Sequence, residues 1–212
     1  MGQAIQAQCK IAGIKASDFQ DDVEDLNDIS AVIDFSAPNG FIFSIKFCIE
    51  HKLPLISGTT GLLEEHLDLI NTAKKSIPIL IASNMSVGIT NLKSSIEEYI
   101  SSLNVTSRCR ILEIHHTDKK DSPSGTALEI LSFLENFSGS KIVRPIDVQS
   151  CRIGNIFGTH RVEFINDEGI SSFQHIANSR DIFAIGALQA ARWLNSKEIG
   201  EYSFADFLDK KL

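Results

Sequence analysis

A chain of 212 residues with 43% apolar and 22% charged side chains and a mean hydropathy of +0.02 can bury one large or two small globular cores. Those proportions exclude a disordered, collagen-like or disulfide-scaffold chain. A net charge of −7 argues against a nucleic-acid footprint, so any anion site has to be local.

Cys9, Cys48, Cys109 and Cys151 are scattered without a CxxC pair and read as reduced, mostly buried thiols, not as a zinc site or a secreted framework. The most apolar run, "FIFSIKFCI", is too short to span a bilayer and contains Lys46, and no signal peptide opens the chain. A cytoplasmic protein with no membrane or nucleic-acid partner is expected.

The chain starts "MGQAIQAQCK", which reads as a helix without the strand and GxGxxG turn that normally precede it in a dinucleotide-binding fold. The acidic "SDFQDDVEDLND" reads as a solvated connection, in which Asp18 is the candidate to close a second strand and accept from a ribose hydroxyl. From residue 31, short β-rich runs alternate with amphipathic segments, the pattern of a parallel sheet with helical crossovers. "AVIDFS", "LPLISGTT" and "IPILIASN" are the strands; "NGFIFSIKFCIEHK", "LLEEHLDLINTAKKS" and "VGITNLKSSIEEYISSL" are the helices. Each strand ends in small or polar residues, where doubly wound folds gather their ligands.

The second half changes character. "SRCRILEIHH" reads as a strand, "SGTALEILSFLENFS" as a capped helix, and "RIGNIFGTHRVEFINDEGISSFQHIA" as antiparallel strands turning at residues 166–169. "DIFAIGALQAARWLN" is apolar nearly all round and is expected to be a buried helix. The expected architecture is α/β: a Rossmann-like parallel sheet lacking its first strand and Gly-rich turn, beside an α+β substrate and oligomerisation domain of mixed or antiparallel sheet. The expected boundaries are 1–86 for the dinucleotide-binding domain, completed by a C-terminal helical segment at 181–212, and 87–180 for the second domain.

Chemistry concentrates in "EIHHTDKKDSPSGTALEI", residues 113–130. A packed interior has no use for such a run of cations and hydroxyls. His115 and His116 end a strand, so their side chains point to opposite faces and do not suit one metal ion; none is expected. One can move protons near working pH while the other contacts substrate. Lys119 and Lys120 add positive charge, and Ser124, Gly125 and Thr126 open a helix whose N–H groups and dipole suit a carboxylate or phosphate. The competing reading is a solvated loop with an ordinary N-cap. Gly58 in "SGTTG" permits close backbone approach and Thr59 and Thr60 offer hydroxyls, as the nicotinamide end of a cofactor requires, against the reading of a plain turn; "ASNMSVG" is a similar strand-end signal, and both are weaker than the 113–130 run. His51 and His66 read as helix-surface residues, His160 and His175 as facing either solvent or a domain seam, and Arg152 and Arg180 either as aids to an anionic substrate or, the favoured reading for each singly, as bridges to carboxylates.

In order along the chain, "MGQAI", "VIDFSAP", "GTTG", "ASNMSVG", "EIHHTDKKDSPSGTA" and "FAIGALQAARWL" resemble the dihydrodipicolinate reductase family over essentially the whole length. The resemblance implies reduction, by NADH or NADPH, of a cyclic dicarboxylated substrate on the route to lysine and diaminopimelate. It implies His115 as proton donor or acceptor and Lys119 as a second acid. His116, Ser124, Gly125 and Thr126 would hold the substrate carboxylates. Gly58, Thr59, Thr60, Ala82, Ser83, Asn84, Met85 and Asp18 would serve the cofactor, and the family's habit implies a homotetramer. The family's GxxGRMG turn would precede "MGQAI"; of it the sequence has Met1 and Gly2, so the expectation is either a start placed too far downstream or the loss of much of the pyrophosphate grip. Two other readings predict different behaviour: a cofactor-deficient binding protein of the same fold, and another Rossmann-type dehydrogenase of the aspartate pathway with its chemistry outside residues 113–126.

Overall fold

Short β-branched runs separated by one-sided helices can bury both faces of a sheet only as a parallel, helix-flanked layer. The first part of the chain folds that way. The structure, a computed structural model, describes residues 1–18, 26–137 and 143–209. It divides into two units, Met1–Met85 with Arg180–Leu212, and Ser86–Ser179.

In the first unit β1 (Val32–Asp34), β2 (Leu55–Ser57), β3 (Pro78–Ile81) and β8 (Gly200–Tyr202) form an all-parallel sheet in the order β1-β2-β3-β8. Successive residues serve opposite faces. Leu55 and Ile79 join Phe41, Ile45 and Cys48 of α2 (Pro38–His51) and Ile70 and Ala73 of α3 (Glu64–Ala73). Ile56 and Leu80 join Ala187, Ala190 and Leu194 of α6 (Asp181–Leu194) and Phe204 and Phe207 of α7 (Phe204–Leu208). The opening helix α1 (Gly2–Ile11) packs on α6.

In the second unit β5 (Val143–Arg152), β4 (Ser107–His115), β6 (Gly158–Asn166) and β7 (Gly169–Ala177) form a mixed sheet in that order, β4 pairing parallel with β5 and antiparallel with β6. Helices α4 (Val87–Ser102) and α5 (Gly125–Asn136) cover one face. Ile89, Ile96, Ile130 and Leu134 pack there on Cys109, Ile111, Val162 and Phe164. β4 alternates buried and less buried residues along its length, so its odd positions face the helices.

Several expectations change. The sequence reading overlooked β5, β8 and α7. "VRPIDVQSCR" lacks clean alternation because most of β5 is exposed, and β8 spans three residues. α6 is buried on one side only: Ile185 is 40% exposed and Phe183 and Leu188 are half-buried. His66 is no surface residue. It is 2% exposed, and its Nδ1 accepts the Leu63 N–H at 3.0 Å, capping α3 from inside. Asp18 lies exposed in irregular chain after α1, not at a strand end, and residues 19–25 of the acidic segment lie outside the described residues. Cys9, Cys48 and Cys109 are buried and Cys151 is exposed, all as free thiols. No helix among the described residues is long and apolar enough to cross a membrane.

Gly186 on α6 meets Met85 so closely that a Cβ would overlap the Met85 carbonyl oxygen, which is backbone and cannot swing aside. Gly186→Ala is therefore expected to cost about 1–3 kcal/mol of stability through overpacking. Denaturant unfolding measures this, and an unchanged midpoint would refute the tight contact.

Candidate active site

Strand periodicity builds the centre of the second unit. Glu113 and His115 are two residues apart on β4 and so share its helix-covered face. His160 lies directly across from Glu113 on β6, and Arg152 directly across from His115 on β5. All four side chains converge where β4 ends. Glu113 has no solvent exposure, and His115 and His160 are 7% and 4% exposed.

The Glu113 carboxylate organises the group. Its Oε2 contacts His115 Nδ1, and its Oε1 accepts from Arg152 Nη2 at 2.8 Å and from the Ser124 N–H at 3.2 Å. Arg152 Nη2 also donates to the Asp121 carbonyl at 2.5 Å. Ser124 is the N-cap of α5: its Oγ accepts the Ala127 N–H at 3.2 Å and lies 3.2 Å from His160 Nε2. With the oxygen accepting from Ala127, the hydroxyl can donate to the imidazole or accept from it through its second lone pair, according to the His160 tautomer. The His115 and His160 rings meet edge to face at 5.1 Å. Gly158 leaves them room, since a Cβ there would lie 3.0 Å from His115 Nε2.

Burial pushes the Glu113 pKa up, but hydrogen bonds from Arg152, Ser150 and His115 outweigh it and hold the carboxyl below its ordinary value. Burial pushes His115 down; the Glu113 hydrogen bond and charge oppose this, Lys119 and Arg152 reinforce it, and the net shift is downward. Burial, helped by His115, takes His160 to about 3. Near neutral pH the centre therefore holds one carboxylate, one guanidinium and two neutral imidazoles. His115 gives its Nδ1 proton to Glu113 and keeps a lone pair on Nε2.

The loop after β4 is pinned by its backbone. Ile153 N–H donates to the His115 carbonyl at 2.8 Å, His116 N–H to the Ile156 carbonyl at 2.8 Å and Thr117 N–H to the Gly154 carbonyl at 3.2 Å. Lys119 is 23% exposed at its side chain and pairs with Asp121 at 2.8 Å. That ion pair outweighs burial and holds Asp121 below its ordinary pKa. His115, Lys119, Ser124, Gly125 and Thr126 thus share one strand end and one helix start, with His116 half-buried beside them. Glu113, His115 and His160 also offer one ligand atom each within 4.8 Å of one another. The carboxylate there already accepts from three donors, and the guanidinium beside it opposes a divalent cation.

The first unit carries the other predicted residues at the carboxyl ends of β1 to β3. Gly58 is half-buried and Thr60 exposed, while Thr59 is 4% exposed with its hydroxyl on Asp34 at 2.6 Å. Met85 is fully buried in the core around α6 and lines no open surface. Ala82 is half-buried and Ser83 exposed beside the buried Asn84. The small residues and exposed Thr60 at adjacent strand ends fit the amide end of a pyridine nucleotide. Asp18 stands on an exposed, irregular segment after α1.

Glu113, Arg152 and His160 were not read as site residues from the sequence. Glu-x-His at a strand end was a usable signal for the first, since period two puts both on one face. The other two depend on cross-strand register, which sequence spacing does not carry.

A parallel, helix-flanked sheet with open strand-end loops, joined in one chain to a mixed sheet holding a Glu-His centre, defines a two-domain NAD(P)H-dependent oxidoreductase. Residues 1–85 match the family described as dihydrodipicolinate reductase, N-terminus, and residues 88–208 that described as dihydrodipicolinate reductase, C-terminus. The chain belongs to the dihydrodipicolinate reductase family. It is 35% identical over 232 aligned positions to the 4-hydroxy-tetrahydrodipicolinate reductase of Rickettsia akari, covering 100% of this chain and 94% of that protein. The Rickettsia rickettsii enzyme of the same name is 34% identical over 210 positions, with 93% and 87% covered. The dipicolinate-bound dihydrodipicolinate reductase from Paenisporosarcina sp. TG-14 shares the fold with a TM-score of 0.62 at 18% identity, over 82% of this chain and 71% of that one.

The buried imidazoles have a consequence for acid stability. Unfolded, His160 takes up a proton near its ordinary value of 6.5; folded, it does so only at about 3. Stability is then complete above pH 6.5 and falls as the pH drops through that window, by up to ~1.4 kcal/mol per pH unit for one proton. His160→Asn is expected to flatten this limb in denaturant titrations between pH 7 and 4. A wild-type limb no steeper than the variant's would contradict the assignment.

Proposed function

We propose that this chain reduces 4-hydroxy-tetrahydrodipicolinate to tetrahydrodipicolinate, with His115 and Lys119 as its proton-handling pair and with NADH or NADPH as reductant. The observation that carries the reading is the buried Glu113–His115 pair beside a cationic loop and the opening turn of α5. A bound nicotinamide supplies the hydride, and every other requirement falls on side chains of this chain. Loss of the 4-hydroxyl as water leaves a conjugated C=C–C=N system; electrons entering it build negative charge toward the ring nitrogen, which takes up a proton, and a positioned cation or acid lowers the barrier to that charge.

Lys119 provides the cation. Its pairing with Asp121 holds the ammonium close to the strand end while leaving it partly accessible. His115 begins neutral, and a dianion binding beside it raises its pKa, so that proton uptake on substrate binding readies it as a donor. Gly125 and Thr126, at the start of α5, offer N–H groups and the helix dipole to one carboxylate, with His116 and the Ser124 cap nearby. Glu113 holds His115 in one tautomer and, through the Ser124 N–H, ties that imidazole to the helix start.

For the cofactor, Gly58, Thr60, Ala82, Ser83 and Asn84 are the residues whose placement suits the nicotinamide end; Thr59 acts from beneath. Asp18 remains a candidate for the ribose only if its exposed segment reaches it. We also propose a homotetramer. Among the described residues no helix of the second unit covers the outer face of the mixed sheet, where Ile170 and Ile176 are 62% and 52% exposed on the face that carries the Arg110–Glu163 pair. Light scattering is expected to give four times the 23.3 kDa chain mass; a monomer would reject this assembly.

The direct test follows NADH and NADPH oxidation with freshly generated substrate. Wild type is expected to turn over, and His115→Gln and Lys119→Ala to lose roughly 10²-fold or more in kcat. Glu113→Gln is expected to lower kcat and to move the His115 ring proton from Nδ1 to Nε2 in ring nitrogen NMR. If wild type binds dipicolinate but consumes neither coenzyme, a binding protein of this fold replaces the reductase. If the His115 and Lys119 variants keep full activity, the chemistry lies outside residues 113–126.

A further inference from the structure

The first unit contains a second buried carboxylate, Asp34 at the end of β1, which is 4% exposed. Its surroundings differ from those of Glu113. Oδ1 accepts from Ser36 Oγ at 2.6 Å, the Ser36 N–H at 3.3 Å and Ser44 Oγ at 3.4 Å. Oδ2 accepts from Ser57 Oγ at 2.9 Å and Thr59 Oγ1 at 2.6 Å. The donors are four hydroxyls and a backbone N–H, with no cationic side chain among those bonded to it in the described residues.

Ser36 and Thr59 lie in the loops that follow β1 and β2, Ser57 ends β2 and Ser44 stands on α2. Two further bonds continue the connection: Gly58 N–H donates to the Asp34 carbonyl at 2.8 Å and Ala82 N–H to the Ser57 carbonyl at 3.0 Å. Thr59 N–H donates to Ser57 Oγ at 3.2 Å, so Ser57 both gives to the carboxylate and receives from the loop. Close packing leaves little slack. A Cβ on Gly58 would run into the Phe35 ring, and one on Gly40 would lie 2.5 Å from Ser36 Oγ. An amide in place of the carboxylate would have fewer lone pairs and two N–H groups facing hydroxyls, so the donors could not all be met.

We propose that Asp34 is a positioning residue for the reductase: it fixes the loops after β1 and β2 in the shape that receives the nicotinamide end of the cofactor. The inference rests on the reading of those loops as the cofactor site. Thr59, through its hydroxyl, belongs to this scaffold, and Thr60, exposed and next in the chain, is the hydroxyl left to face a ligand. A scaffold of this kind acts on cofactor binding and leaves the dicarboxylate site of the other unit to its own residues.

The experiment compares Asp34→Asn, Thr59→Val, Thr59→Ser and Thr60→Val in the full chain, reading NADH affinity by fluorescence, dipicolinate affinity by calorimetry, and the KM for each substrate. Asp34→Asn and Thr59→Val are expected to raise the Kd and KM for NADH tenfold or more while the Kd for dipicolinate moves less than twofold. Thr59→Ser, which keeps the hydroxyl, is expected to stay within about threefold of wild type. Thr60→Val tests the underlying reading, because it weakens NADH binding without touching Asp34. If Thr60→Val weakens NADH binding and Thr59→Val does not, the inference falls and the cofactor reading stands. If neither does, the cofactor reading falls as well. Should Asp34→Asn fail to fold, the Thr59 pair decides alone; equal losses in NADH and dipicolinate affinity would mark the network as merely structural.

Discussion

A carboxylate without solvent exposure must be met by donors or give up its charge, and Glu113 keeps its charge. The Arg152 guanidinium, the Ser124 N–H and His115 Nδ1 reach it from β5, from the start of α5 and from its own strand. Each donor is thereby placed. Removing one partner of such a buried pair costs on the order of 3–5 kcal/mol, because the remaining charge stands uncompensated. The need to satisfy that charge is what gathers the strand end, the helix start and the turn beyond β5 into one arrangement.

Asp34 meets the same requirement by other means. Where Glu113 is neutralised by a cation and an imidazole, Asp34 is solvated by hydroxyls from the loop after β1, the end of β2 and the loop beyond it. A carboxylate coupled to charge biases the protonation of the imidazole beside it, whereas one met by hydroxyls ties neighbouring chain segments together through short-range, directional bonds. Both carboxylates sit at strand ends, where the ladder stops supplying partners and side chains take over.

Much of this was legible in the sequence, for reasons that differ by element. β1 to β3 and their helices declared themselves because parallel strands covered on both faces are written as short apolar runs between one-sided helices. The loop from His115 to Thr126 declared itself because its residues have no use in a core. β5 did not, since an exposed edge strand lacks the alternation that betrays a half-buried one. His66 misled because a histidine amid the charged residues of "EEHLDL" looks solvated, while capping α3 turned it inward. Thr59 and Thr60 are adjacent, identical and opposite in role; only the backbone turn decides which hydroxyl faces Asp34. Arg152 and His160 entered through register, a property of strand pairs and not of spacing.

Register also explains the division of labour in the centre. His115 and His160 are both buried, but their hydrogen-bond partners differ in kind. His115 leans on a carboxylate, which favours the protonated ring and opposes the effect of burial. His160 leans on a neutral hydroxyl, and the Glu113 charge offsets burial only in part, so the ring stays neutral. One imidazole is thus poised to change charge and the other is prevented from doing so. A charged His160 beside His115 would push that ring further down, so the neutral neighbour sets the charge of the centre as much as the carboxylate does.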